Sequence, residues 1–259
     1  MNPIVLTNYQ PFYVVLSFVI AMVGSFVALT AATRIKQADG SFSTANTLTA
    51  GLALGGIGVW AMHFVGMLAL KMDLANSYAM VETGVSLVAA IVAASLALGF
   101  VARAPERLGR MLLAGALLGM SVVVMHYLGM YGMKFGGYIQ WDYAVVAASI
   151  AIAVVAATAA LWLAFHTAAL LRRVWAALVM AVAVCAMHYT GMAAAEFICT
   201  TANRNAIPQG FGYVSSFSIS SMVVIAGLSM AFLIAMSLLF QPGSEGSNRA
   251  LSPAKPSRG

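Results

Sequence analysis

Seven apolar stretches, each about the 20 residues that a helix needs to cross a hydrocarbon core, run through this 259-residue chain at 12–33, 46–70, 80–101, 111–133, 143–165, 174–195 and 217–239. They occupy most of the sequence, and only 8% of all residues are charged against 62% hydrophobic. An ordinary soluble domain carries roughly 25% charged residues, so a soluble core could not hide the apolar surface left over here. The runs are too long for soluble-core helices and lack the period-2 alternation of a barrel strand. The expectation is an all-α polytopic membrane protein of seven helices, in contact with a lipid bilayer.

The first run has no Lys or Arg before it, unlike a cleaved signal peptide, and reads as a retained helix. Basic residues set the orientation. Arg34, Lys36, Arg103, Arg107, Arg110, Arg172, Arg173, Arg249, Lys255 and Arg258 fall on one side, and Lys71, Lys134 and Arg204 on the other, ten against three. That places the N-terminus outside and the C-terminus in the cytoplasm. The net charge of +6, scattered over loops, is a topology bias and not a phosphate-binding face, so no nucleic-acid partner is expected. Two cysteines exclude a disulfide framework or a cysteine-rich zinc module. Residues 1–240 read as one membrane domain, and 241–259, rich in Pro, Gly and Ser, as a disordered cytoplasmic tail.

A hexapeptide recurs three times: Met62-His63-Phe64-Val65-Gly66-Met67, Met125-His126-Tyr127-Leu128-Gly129-Met130 and Met187-His188-Tyr189-Thr190-Gly191-Met192. The chain holds 17 Met and 4 His, too few for three such Met-His pairs to coincide by chance. The histidines are 63 and 62 residues apart, so each repeat spans two helices in the same orientation, giving three parallel two-helix repeats plus one helix. Every copy sits near the outer end of an even-numbered helix. Within a copy the His and the second Met are i and i+4 and share a helix face. The Gly between them would let a neighbouring helix or an ion come close.

Imidazole with thioether is a soft donor set that favours copper, Cu(I) above all. The candidate metal ligands are Met62, His63, Met67, Met125, His126, Met130, Met187, His188 and Met192. One such copy could be gap-filling methionine and a hydrogen-bonded core histidine. Three at matched membrane depth point to a site, because ionisable groups there are costly and usually functional.

Three M-H-[FY]-x-G-M motifs in a seven-helix chain resemble the MHYT domain, a bacterial integral membrane sensor module. The resemblance implies a multi-pass protein of the bacterial cytoplasmic (inner) membrane, motifs near the outer face, copper held by Met, His and aromatic residues, and sensing of a diatomic gas such as O2, CO or NO. It extends the candidates to Tyr127 and Tyr189. Phe64 replaces the family tyrosine in the first copy. Many family members carry fused diguanylate cyclase or phosphodiesterase domains, whereas this chain ends in a short tail. It is therefore expected to be non-enzymatic and to signal through a separate cytoplasmic or membrane partner.

Competing readings are a haem protein, with two facing histidines on iron, and a copper or small-solute transporter. Cys185, three residues before His188, is either an additional soft ligand or a small buried residue. Asp73, Glu82, Lys134, Asp142 and Glu196 read as solvated helix ends, and His166 as interfacial. Gly51/Gly55 and Gly115/Gly119 have the spacing of close helix packing.

Overall fold

A computed structural model describes residues 4–166 and 169–240. The helices fall on the expected apolar runs: α1 Pro11–Ala32, α2 Thr44–Ala69, α3 Met80–Ala102, α4 Leu108–Gly132, α5 Tyr143–His166, α6 Leu170–Ala193 and α7 Ser216–Phe240. The first six are long and apolar enough to cross a membrane. The tail expected over 241–259 lies outside the described residues.

Local chemistry sets several boundaries. Pro11 opens α1, where a missing N–H costs nothing. Ser43 caps α2, its Oγ accepting from the Asn46 N–H at 3.2 Å. Asp142 does the same for α5, accepting from Ala144 and Val145. Over Leu52–Ala61, directly before its motif, α2 widens into π geometry, a distortion often found beside functional positions.

The six long helices close into a ring, each packed on its sequence neighbours and α6 returning to α1, while α7 leans on α1 and α2 from outside. Small residues let backbones touch: Gly24 faces Gly58, Gly55 faces Ala90, Gly51 faces Ser95 and Gly119 faces Val154, with no room for a methyl group at Gly24, Gly51, Gly55 or Gly119. Both glycine pairs singled out in the sequence thus serve packing. Enclosure is uneven: 83% of the apolar window of α2 is buried, against 28–44% for the other five spans. Outward faces are apolar stripes, such as Val81, Val85, Val88, Val92 and Leu96 on α3, the inside-out pattern of a membrane-embedded bundle.

The all-α expectation needs one correction. Seven short strands occur among the described residues: β1 Thr7–Tyr9, β2 Leu70–Met72, β3 Asn76–Ala79, β4 Met133–Phe135, β5 Gly137–Trp141, β6 Ala195–Cys199 and β7 Tyr213–Ser215. They form three antiparallel ribbons, β1 with β2, β3 with β4 and β5 with β6, and β7 adds to β3. In every ribbon the strand entering an odd-numbered helix pairs with the strand leaving the next even-numbered one. Together they cap the end of the bundle that carries the motifs. Backbone leaving a helix beside a dry interior must find partners, and pairing supplies them in segments of three to five residues, too short for sequence alternation to reveal.

Candidate metal centre

The even-numbered helices α2, α4 and α6 bring their histidines to one point. His63, His126 and His188 are 0–1% exposed, and their Nδ1 atoms form a triangle with sides of 3.1, 3.2 and 3.3 Å. The rings meet edge to face, with centroids 5.0–5.2 Å apart and interplanar angles of 78–86°. The triad lies five to six residues inside the helix ends Ala69, Gly132 and Ala193, about 8–9 Å of helix rise. Three motifs therefore make one centre.

Each imidazole is held by the next repeat. Nε2 of His63 presses against Gly129, Nε2 of His126 against Gly191, and Nε2 of His188 against Gly66, where any side chain would collide with it. The motif glycine, expected to admit a helix or an ion, instead admits the imidazole of another copy. All three Nε2 atoms are buried with no hydrogen-bond partner among the described residues.

Next to each histidine stands an aromatic ring: Phe64, Tyr127 and Tyr189, with centroids 4.8–4.9 Å from the imidazole. Behind each is an aromatic from the cap: Tyr78 5.7 Å from Phe64, Trp141 5.2 Å from Tyr127, and Tyr9 5.8 Å from Tyr189. Burial raises the phenol pKa of both Tyr9 and Tyr78 above the ordinary value of 10.0. A buried serine completes each sector. Ser149 meets the Tyr127 hydroxyl at 2.7 Å and Ser17 the Tyr189 hydroxyl at 2.9 Å. Both serines give their own proton to the carbonyl three residues back, so the phenols are the donors. In the first sector Phe64 has no hydroxyl, and Trp60 takes over: its Nε1 donates to Ser86 Oγ at 3.1 Å.

Sequence reasoning missed these outer rings. A signal was present, because Ser17, Ser86 and Ser149 are 69 and 63 residues apart, as are Tyr9, Tyr78 and Trp141. That spacing matches a repeat of odd-numbered helices, but neither set makes a contiguous motif.

The six candidate methionines are buried at 0–5% within apolar clusters, Met187 in a separate one with Val123 and Ala153. Cys185, in α6, and Cys199, in β6, are free thiols. Of the charged residues at the helix ends, Asp73 pairs with Arg204 at 3.0 Å and Glu82 with Lys134 at 3.3 Å. His166 is exposed and stacks on Trp162.

The triad fits a metal ion. A neutral imidazole has one donor and one acceptor nitrogen, and a cation at the centre of the triangle could take up all three converging Nδ1 lone pairs at once. A triangle of these sides has its centre about 1.8–1.9 Å from each corner, near the roughly 2.0–2.1 Å of a zinc–imidazole bond. Zinc, copper, iron and nickel all accept such ligands. A haem does not fit between rings in edge-to-face contact.

Residues 56–114, 119–177 and 182–244 each match the MHYT family model, described as a bacterial signalling protein N terminal repeat. The chain is 35% identical over 237 residues to the bifunctional diguanylate cyclase/cyclic di-GMP phosphodiesterase MucR of Pseudomonas aeruginosa, covering 88% of this chain and 34% of that protein. It is 35% identical over 194 residues to the cyclic di-GMP phosphodiesterase NbdA of the same organism, covering 72% and 24%. To the signaling protein YkoW of Bacillus subtilis it is 30% identical over 197 residues, covering 73% and 24%. The chain thus spans about a third or less of the length of these relatives, and no solved structure matches it. With three matching repeats over most of its length and one histidine of the triad in each, this chain belongs to the MHYT family of bacterial signalling proteins.

Proposed function

We propose that the chain is a membrane sensor whose His63, His126 and His188 hold one copper ion through Nδ1. The observation that carries this reading is the Nδ1 triangle, closed to 3.1–3.3 Å, with every Nε2 turned onto a glycine. Among the metals that imidazole accepts, copper is favoured by the thioethers of Met62, Met67, Met125, Met130, Met187 and Met192, which remain proposed contributors on the same helices. Bound there, the metal supplies a coordination position for a diatomic gas, O2, CO or NO. The protein residues orient the imidazoles, exclude water with the aromatic cap, and link the repeats.

That linkage is the physical basis for signalling. Every imidazole leans on the glycine of another repeat, so a change in the size of the triad is felt by α2, α4 and α6 together. A ligand that favours one spacing shifts the bundle between two arrangements. We place the triad toward the outer face of the bacterial inner membrane, with the N-terminus outside, from the ten-to-three distribution of basic residues. Output is read on the cytoplasmic side or within the membrane.

The test is elemental analysis of detergent-purified protein beside the His63→Ala/His126→Ala/His188→Ala variant, with optical spectra before and after adding NO or CO. One copper per chain, lost in the variant, with a spectrum that responds to the gas, is the expected result. Equal copper in both proteins, or none in either after Cu(I) addition, overturns it.

A further inference from the structure

One turn and two turns below the triad, away from the β cap, the three motif helices line a cavity of about 30 Å³. Its wall includes Val59, Val122 and Val184, each four residues before a motif histidine, and Gly55, Leu118 and Met180, each eight before. Residues four and eight apart share a helix face, so the face that presents the histidines also presents this chamber. The rest of the wall is chiefly alanine from α3 and α5, including Ala94 and Ala157.

No lining side chain carries nitrogen or oxygen, and the surrounding backbone is helical. A water molecule needs two to four polar partners, so a chamber of this composition stays dry. A single water molecule needs about 10–15 Å³ of cavity, so the space holds a molecule of at least two heavy atoms. Ions and hydrogen-bonding metabolites are excluded by the cost of stripping their hydration. Small apolar molecules, by contrast, gain on leaving water for such a wall.

We infer that this chamber is a binding site for one small apolar molecule of diatomic size, separated from the histidine triad by a collar of Val59, Val122 and Val184. The inference rests on the gas-sensing reading above for its physiological ligand, but the chamber itself does not need the metal. It assigns a residence for the ligand one helical turn from the imidazoles, on the membrane-interior side.

Xenon is the probe, used on chelator-treated protein in nanodiscs with 129Xe NMR, and on xenon-pressurised crystals. The expected result is one saturable site with density inside the chamber, and at least about a tenfold loss of affinity in Ala157→Phe and in Ala94→Leu, which fill a space that xenon otherwise enters. Xenon that only partitions without saturation, equally in parent and variants, overturns the proposal, as does density found solely elsewhere. The crystals keep the test valid if a filling variant fails to fold. If xenon occupies the chamber but NO leaves the copper-loaded spectrum unchanged, the gas-sensing reading fails and the cavity assignment stands. If NO reaches the copper as fast in Ala157→Phe as in the parent, the chamber is not the ligand's residence and the sensor reading stands.

Discussion

The first sector of the triad and the other two solve one problem with different residues. In the second and third, a tyrosine beside the histidine reaches across to a buried serine, Tyr127 to Ser149 and Tyr189 to Ser17. In the first, Phe64 contributes only a ring, and Trp60, one turn earlier, donates its indole N–H to Ser86. Trp60 and Phe64 stand 4.8 Å apart as a tilted pair, so they divide between them what one tyrosine does elsewhere. A phenol is therefore not required in each sector. What recurs is a ring against the imidazole and a donor for the serine, either of which a neighbouring residue can supply.

The largest effect expected on this comparison comes from its centre, where the sectors are alike. His63→Ala, His126→Ala or His188→Ala should each abolish stoichiometric metal binding, read by elemental analysis, because two imidazoles cannot close the triangle. Retention of full metal by any one of them would mark that sector as idle.

The glycines come next. Gly66→Ala, Gly129→Ala and Gly191→Ala each force a methyl into an imidazole. Overpacking costs about 1–3 kcal/mol, and displaced ligand support typically lowers metal affinity roughly 10–100-fold. Thermal unfolding and competitive metal titration check both figures. Similar losses for all three glycines would support the cyclic lock, whereas a large loss at one alone would break its symmetry.

Smaller effects sharpen the contrast between sectors. Tyr127→Phe and Tyr189→Phe each remove one hydrogen bond to a serine, worth about 1 kcal/mol in denaturation midpoints. Trp60→Phe should cost more than either, since it removes the equivalent bond in the first sector and also leaves part of the buried indole volume empty. Phe64→Tyr should gain nothing, because Ser86 already accepts from Trp60. A stabilised Phe64→Tyr variant would show that the indole is a poor substitute.

The cap offers the mildest probe. Burial holds the phenols of Tyr9 and Tyr78 above their ordinary pKa of 10.0, while Trp141 in the third ribbon does not titrate in this range. Their contribution is fully present below pH 10 and is lost as pH rises above it, because the unfolded chain then releases protons that the folded one retains. Tyr78→Phe should flatten that alkaline decline in a pH series of unfolding midpoints, leaving neutral stability nearly unchanged.

Much of the architecture was legible because a bilayer demands long apolar helices, and their runs survive any tertiary context. The His63, His126 and His188 triad was legible for a different reason: hexapeptides of one pattern at matched depth on parallel repeats have one axis on which to meet. The surrounding residues were hidden. Ser17 and Tyr189 are 172 positions apart, and the repeat that relates Ser17 to Ser86 and Ser149, and Tyr9 to Tyr78 and Trp141, keeps scattered positions, not a contiguous motif. The β ribbons were invisible in segments as short as Leu70–Met72. The glycine was noticed in the sequence, but its partner, an imidazole of the next repeat, depends on the handedness of the bundle, which no local pattern records.

X-ray absorption at the metal edge of the purified, metal-loaded protein tests the central claim most directly. The account predicts one ion per chain with three imidazole nitrogens at about 2.0 Å, reduced to two in His126→Ala if residual metal remains. A coordination sphere with one imidazole or none, or one that His126→Ala leaves unchanged, would contradict it.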